Sequence, residues 1–219
     1  MFDKLIAKFR ARVRPDQVDP EPLRWIVLDT ETTGLSLWRD HLISIAAVAV
    51  TCEPEFRRPR IVLGDRFEAV IQQEKPTHHK SNILIHHIGV QAQRDAENGK
   101  QVMQRFARWV GDSPLLAFHA PFDRAMIAKA YKKFDLSEPV NPWVDVAAMA
   151  SCARRDTFAA SLDDRLQEFG LECFERHQAS ADMFATAELL LRLLPILRQQ
   201  VQDFRGLRRI CADQARASG

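Results

Sequence analysis

"IVLDTETTGL", residues 26–35, runs three aliphatic positions, which with Trp25 before them make four apolar residues, into an acid, a threonine, a second acid and a glycine turn before apolar character returns. Four such residues, bounded by a turn signal, read as the end of a buried strand. Alternate residues of a strand point the same way, so Asp29 and Glu31 project together from its end. Two carboxylates about 4 Å apart repel by about 4 kcal/mol even at an effective dielectric near 20. A cation held between them is one reading, and a strand end that simply faces water is the other. A D-x-E triplet alone decides nothing, since chance supplies about one in a chain of this size. Another such triplet, Asp95-Ala96-Glu97, sits in a polar stretch running into Asn98-Gly99, and there the solvated loop is the better reading.

Around this stretch the chain is ordinary. Its 219 residues suit one sizeable core, with 46% hydrophobic and 27% charged residues, so neither disorder nor a membrane protein is indicated. The 31 basic residues nearly balance 29 acidic ones for a net charge of +2, and any signal for nucleic acid must come from local patches. Cys52, Cys152, Cys173 and Cys211 form no C-x-x-C pair. That spacing fits reduced thiols in a cytoplasmic protein better than a zinc site or a disulfide framework. The sequence contains neither a secretory apolar core nor a run of about 20 apolar residues, and a protein that stays inside the cell is expected.

Residues 1–13 place Phe2, Leu5, Ile6, Phe9 and Val13 at helical spacing, with Lys4, Lys8, Arg10 and Arg12 between them. Pro15, Pro20 and Pro22 then stop any helix. Residues 1–22 thus read as an amphipathic helix on a stiff connector, packing back on the domain or docking on a polymerase, another protein partner or an anionic surface. The main domain is expected over 23–195. A basic helical tail follows over 196–219, carrying Arg198, Arg205, Arg208, Arg209 and Arg216. Strands are predicted over 25–28, 42–50, 66–71 and 114–118. Helices are predicted over 81–87, 100–110, 122–134, 145–153, 161–169 and 180–194, with Gly170 as a C-terminal cap. The first two strands are too close for a crossover helix, so they pair antiparallel. The fold class is α/β: a mixed central sheet flanked by helices.

Two further segments carry acids. In "LLAFHAPFDRAMIAKA", residues 115–130, an apolar strand turns into a helix with Asp123 in its first turn. The helix dipole alone, worth about 0.3–1 kcal/mol, accounts for an acid there. In "ERHQASADMFATAELLL", residues 175–191, His177 precedes Asp182 by five residues. On a helix that spacing separates two side chains by about 140°. If both serve one site, His177 lies in the loop before the helix and Asp182 in its first turns.

Taken in order, these segments resemble the DEDDh family of 3′-to-5′ exonucleases, the DnaQ-like group that includes the proofreading subunit of bacterial replicative polymerase. "DTETTGL" (residues 29–35), "FHAPFD" (118–123) and "HQASAD" (177–182) carry the resemblance, supported by "LIHHIG" (84–89) and "WVDVAAMA" (143–150). It extends over residues 25–194. Phe118 and His119 depart from the family's usual H-N pair, and Met183 stands where alanine is common. Neither departure removes an acid, and the first bears on substrate preference.

The resemblance implies a ribonuclease H-like exonuclease fold and a site holding two divalent cations, Mg²⁺ or Mn²⁺, through Asp29, Glu31, Asp123 and Asp182. Four carboxylates without thiolates agree with hard cations rather than zinc. By the same carry-over His177 is the general base for the attacking water, a task suited to an imidazole titrating near pH 6.5. Thr32 and Leu35 neighbour the terminal nucleotide; Phe122 is a further candidate there, though packing beneath Asp123 suits it better. The expected reaction releases nucleoside 5′-monophosphates from the 3′ end of a nucleic acid, with single-stranded DNA first and RNA second. Two alternatives stand beside it. One is a non-catalytic binding subunit that keeps the fold, against which four mutually repelling acids weigh. The other is a nucleotidase acting on small molecules. Arg124, Lys129, Lys132 and Lys133, on the helix after Asp123, are either a solvated face or a phosphate track.

Overall fold

The structure, a computed structural model, describes residues 23–77, 83–84, 86–154, 161–173 and 176–217. The amphipathic helix expected over 1–22 lies outside the described residues; of the helix expected over 81–87, residues 81, 82 and 85 do so too, while 83, 84 and 86 are helical.

Three long strands come first: β1 (Leu23–Thr32), β2 (Leu42–Glu53) and β3 (Arg57–Val70), each antiparallel to the next. Two short helices follow, α1 (Val90–Asp95) and α2 (Gly99–Val110). The chain then alternates: β4 (Leu115–Ala117), α3 (Ala120–Lys133), β5 (Trp143–Asp145) and α4 (Val146–Ala153). It ends with α5 (Leu162–Glu168), α6 (Ala179–Leu197) and α7 (Phe204–Ala217). The sheet order is β3-β2-β1-β4-β5, with β4 parallel to β1 and β5 parallel to β4. Antiparallel pairing needs only a short connection, whereas the parallel strand β5 returns through helix α3.

Several sequence boundaries move. β1 continues through Asp29 and Glu31 to Thr32, so the two acids lie within the strand rather than just beyond it. β3 starts at Arg57, nine residues before the predicted strand. Its first half, "RRPRIVLGD", reads as polar because it is an outer strand with one edge in water. β5 was not expected at all; three residues are too few to set a period, and Asp145, predicted within a helix, instead caps α4 by accepting from Ala147 N at 2.9 Å. Ser161 forms a capping box with Asp164 at the start of α5. Gly170, at φ 65°, follows that helix where only a residue tolerant of the left-handed region fits well.

Alternation along β1 divides the interior. Trp25 and Val27 point to one face, packed with Leu189, Leu190 and Leu193 of α6 and with Leu207 and Cys211 of α7. Ile26 and Leu28 point to the other, against Phe106 of α2 and Ile127 of α3. Phe204 lies 5.4 Å from the Trp25 ring, so the basic C-terminal helix is docked on the body of the domain. None of the four cysteines is in a disulfide. Among the described residues no helix is long and apolar enough to cross a membrane.

The β1–β2 connection, residues 33–41, is tightly built. The Asp40 carboxylate accepts from Thr33 Oγ1 at 2.9 Å and from Ser36 N at 2.8 Å. A Cβ on Gly34 would lie 2.6 Å from Asp40 Oδ2, so this turn has no room for a side chain there. From α3, Lys129 Nζ donates to the carbonyls of Leu37, Trp38 and Asp40 at 3.0, 2.9 and 2.6 Å. Hydrogen bonds from a charged donor contribute about 1.5–3 kcal/mol. We therefore expect Lys129→Met to lower global stability by about 1–3 kcal/mol while accelerating amide hydrogen exchange across residues 34–40 far more than in the sheet. Unchanged protection in that loop would show that the lysine does not hold it.

Candidate active site

Four acids gather at the C-terminal end of β1. Asp29 and Glu31 share a strand face with Trp25 and Val27, the face covered by α6. Asp182 stands in the first turn of α6 and Asp123 in the first turn of α3, and both are buried, at 7% and 5% exposure. The positive ends of the two helix dipoles thus face the cluster and offset part of its charge.

Thr30 lies between the two strand acids in sequence but on the opposite face. Its hydroxyl donates to Asp123 Oδ1 at 2.7 Å and ties α3 to the strand. The entry to α3 is fixed by His119, which adopts the left-handed conformation at φ 61°. Its backbone N–H donates to Asp145 Oδ1 at 3.0 Å. Asp145 therefore pins the turn that aims Asp123 while capping its own helix. Neither Thr30 nor Asp145 was singled out from the sequence.

The electrostatic consequence is clear in the acids themselves. Burial holds the Asp29 carboxyl well above its usual range, and Asp123, Glu31 and Asp182 push it further in that direction. Glu31 is raised to about 8 by burial first, then by Asp182 and Asp123. Asp123 is raised to about 7 by burial, against the lowering pull of the Thr30 hydroxyl. Desolvation and like charge together penalise the ionised forms.

Among the described residues, Arg176 counters this. Arg176 pairs through Nη1 with Asp182 Oδ1 and through Nε with Asp163 Oδ1 at 2.5 Å, and its charge lowers the pKa of both Asp29 and Glu31. Asp182 also accepts from His177 N at 3.1 Å. The sequence offered no signal for Arg176, because its place depends on a loop in which His177 takes a left-handed backbone at φ 64°. A non-glycine residue there carries about 1–3 kcal/mol of strain, a cost tolerated where surrounding contacts fix the geometry.

Asp29, Glu31, Asp123 and Asp182 are thus electrostatic neighbours, and His177 stands exposed on the loop leading to Asp182. The remaining candidates divide. Thr32 donates its hydroxyl to Gly34 O at 2.7 Å and shapes the turn. Leu35 is 85% exposed on that turn. Phe122 is partly buried and packs against the core beneath α3. Among the described residues no three acid, histidine or cysteine side chains already form a cage for an ion. The acids face one another with Arg176 drawn onto one of them.

For the raised carboxyls, folding binds protons, and stability present below the unfolded pKa is lost as pH rises through the folded one. With Glu31 moving from 4.5 to about 8, the metal-free protein should lose thermal stability between about pH 5 and pH 8.5. Glu31→Gln should flatten that slope in a thermal melt with chelator; an equally steep wild-type and variant profile would assign the effect elsewhere.

Residues 26–190 match the RNase_T exonuclease family model. The DNA polymerase III PolC-type protein of Bacillus subtilis is 32% identical over 173 residues, covering 78% of this chain but only 11% of that protein. The fold is similar to that of E. coli exonuclease I in complex with a dT13 oligonucleotide, with a TM-score of 0.67 at 18% identity over 81% of this chain and 42% of that one. It is also similar to exonuclease X in complex with 5′ overhanging duplex DNA, at TM-score 0.61 and 20% identity over 86% and 99% of the respective chains. The chain therefore belongs to the RNase_T exonuclease family, within its DnaQ-like group.

Proposed function

We propose that this chain hydrolyses phosphodiester bonds from the 3′ end of nucleic acid, acting on single-stranded DNA and releasing nucleoside 5′-monophosphates. The observation that carries the reading is the cluster of four carboxylates, drawn from β1, α3 and α6, that burial and mutual repulsion leave short of positive charge. The DNA-bound state of the exonuclease I and exonuclease X structures supports the choice of polymer.

The donor set fits divalent cations. It is all oxygen, it is partly desolvated, and the single guanidinium of Arg176 cannot balance four carboxylates. Hard ions such as Mg²⁺ or Mn²⁺ suit such a site, and two of them match its formal charge. Asp29, Glu31, Asp123 and Asp182 would hold them, with Asp182 exchanging Arg176 for the ion. When bound, they supply Lewis acidity and charge stabilisation at the phosphate oxygens.

The protein's own groups do the rest. His177 accepts the proton of the attacking water, and its exposed place on the loop leaves the imidazole accessible to solvent and substrate. Thr30 and Asp145 orient Asp123 through the strand and the α3 turn. Thr32 and Leu35 border the terminal nucleotide, Thr32 by fixing the turn and Leu35 by direct apolar contact, while Phe122 packs beneath α3. The chain spans 11% of the PolC-type relative. A polymerase is the partner class that this kinship supports, reached through residues 1–22, and the cytoplasm is the compartment.

The test is an assay with Mg²⁺ or Mn²⁺ on matched 5′-labelled single strands of DNA and RNA. A stepwise ladder from the 3′ end is expected, lost with EDTA, with Asp29→Ala or when a 3′-phosphate blocks the strand. His177→Ala should lower turnover by about 10²–10⁴-fold while Mn²⁺ binding, followed by electron paramagnetic resonance, persists. Intact strands in every lane, with the oligonucleotide tightly retained, would replace this reading with a non-catalytic binding subunit.

A further inference from the structure

Three large apolar side chains stand in water on the β1–β2 connection: Leu35 at 85%, Leu37 at 45% and Trp38 at 92% exposure. Scattered exposed leucines need no explanation, but a cluster including a nearly bare tryptophan does. This loop is not loose. Asp40 knots it from within, and the Lys129 ammonium donates to three of its carbonyls, so a network of hydrogen bonds holds the loop that carries these exposed side chains.

The location is informative. The loop leaves β1 directly after Glu31 and Thr32. Its anchor, Lys129, is six residues beyond Asp123 on α3, about 9 Å along the helix axis. Leu37 and Trp38 wall a groove of about 910 Å³ whose floor carries Lys132 and Lys133. Both lysines are exposed, as is Arg39 beside the tryptophan, while Asp135 and Glu138 line the same groove. An aromatic face with nearby cations, on the loop that leaves β1 just after Asp29 and Glu31, matches the two needs of a single nucleic-acid strand: a surface for base stacking and charge for phosphates.

We infer that Trp38 is a stacking platform for bases of the substrate strand upstream of its 3′ terminus, with Lys132 and Lys133 tracking the adjoining phosphates. The inference rests on the proposed nucleic-acid substrate, and it adds a contact beyond the terminal nucleotide. A strand engages the platform only when long enough to extend from the acids to the loop. Strand affinity therefore depends on length, and the loop, not the acid cluster, sets that dependence.

The experiment measures binding, not turnover. Fluorescence anisotropy in EDTA follows a labelled dinucleotide and a strand of about twelve nucleotides against wild type, Trp38→Ala and Trp38→Phe. Removing one base stack should weaken binding of the longer strand by roughly 5- to 100-fold, with much smaller loss for the dinucleotide and substantial recovery in Trp38→Phe. Lys132→Gln and Lys133→Gln should each reduce the salt slope of strand affinity by roughly 0.7. An unchanged thermal midpoint in Trp38→Ala confirms that the fold is intact. Wild-type strand affinity in that variant would overturn the inference and turn the apolar tip toward a protein partner. Equal loss for dinucleotide and strand, or no strand binding by wild type, would overturn it as well. Failure of the hydrolytic reading appears separately, as intact 3′ ends in the presence of metal even where these affinity differences hold.

Discussion

Repulsion among Asp29, Glu31, Asp123 and Asp182 is the constraint to which the surrounding structure responds. Left to themselves, buried carboxylates separate, take up protons or draw in water. Here they are held by elements that cannot easily yield. β1 is paired on both sides, α6 packs a row of leucines against its face, and α3 is tied to the strand through Thr30. The energy that would be released by letting the acids drift apart is smaller than that of unmaking this core. Protonation, the Arg176 guanidinium and two helix N-termini relieve the remaining charge.

The site also depends on long-range closure. Ile26 and Val27 pair with Leu115 and Leu116, and Asp182 reaches the cluster from still further along the chain. No single segment contains a working arrangement of acids, and the residues that aim them are distributed just as widely. Asp145 illustrates this: it caps one helix, fixes the left-handed turn that begins another, and by its own charge raises the pKa of Asp123.

What could be read from the sequence follows from the length scale of each signal. The acids of β1 were legible because a strand's two-residue period relates neighbours directly, and the helical placement of Asp182 followed from a periodic apolar face. The loop position of His177 followed from helical geometry. β5 was hidden by its shortness, and the start of β3 by arginines that belong to an outer strand. Thr30 was masked by its acidic neighbours; its role arises because the intervening residue of a strand faces the other way. Arg176 could not be found by spacing, since its reach to both Asp182 and Asp163 exists only after α5 and the α6 approach are folded together.

β3 has a consequence of another kind. It runs 14 residues along the border of the sheet, long enough to template the addition of a neighbouring molecule's strand. The outer half carries Arg57, Arg58, Pro59 and Arg60, and its pairing with β2 is broken by irregularities at Val48/Ala49 and Thr51/Glu53. Proline removes a donor, arginines repel an identical partner, and interrupted register bends the border away from a flat ladder. The same cationic stretch that disguised the strand therefore works against edge-to-edge pairing along the sheet's long open border.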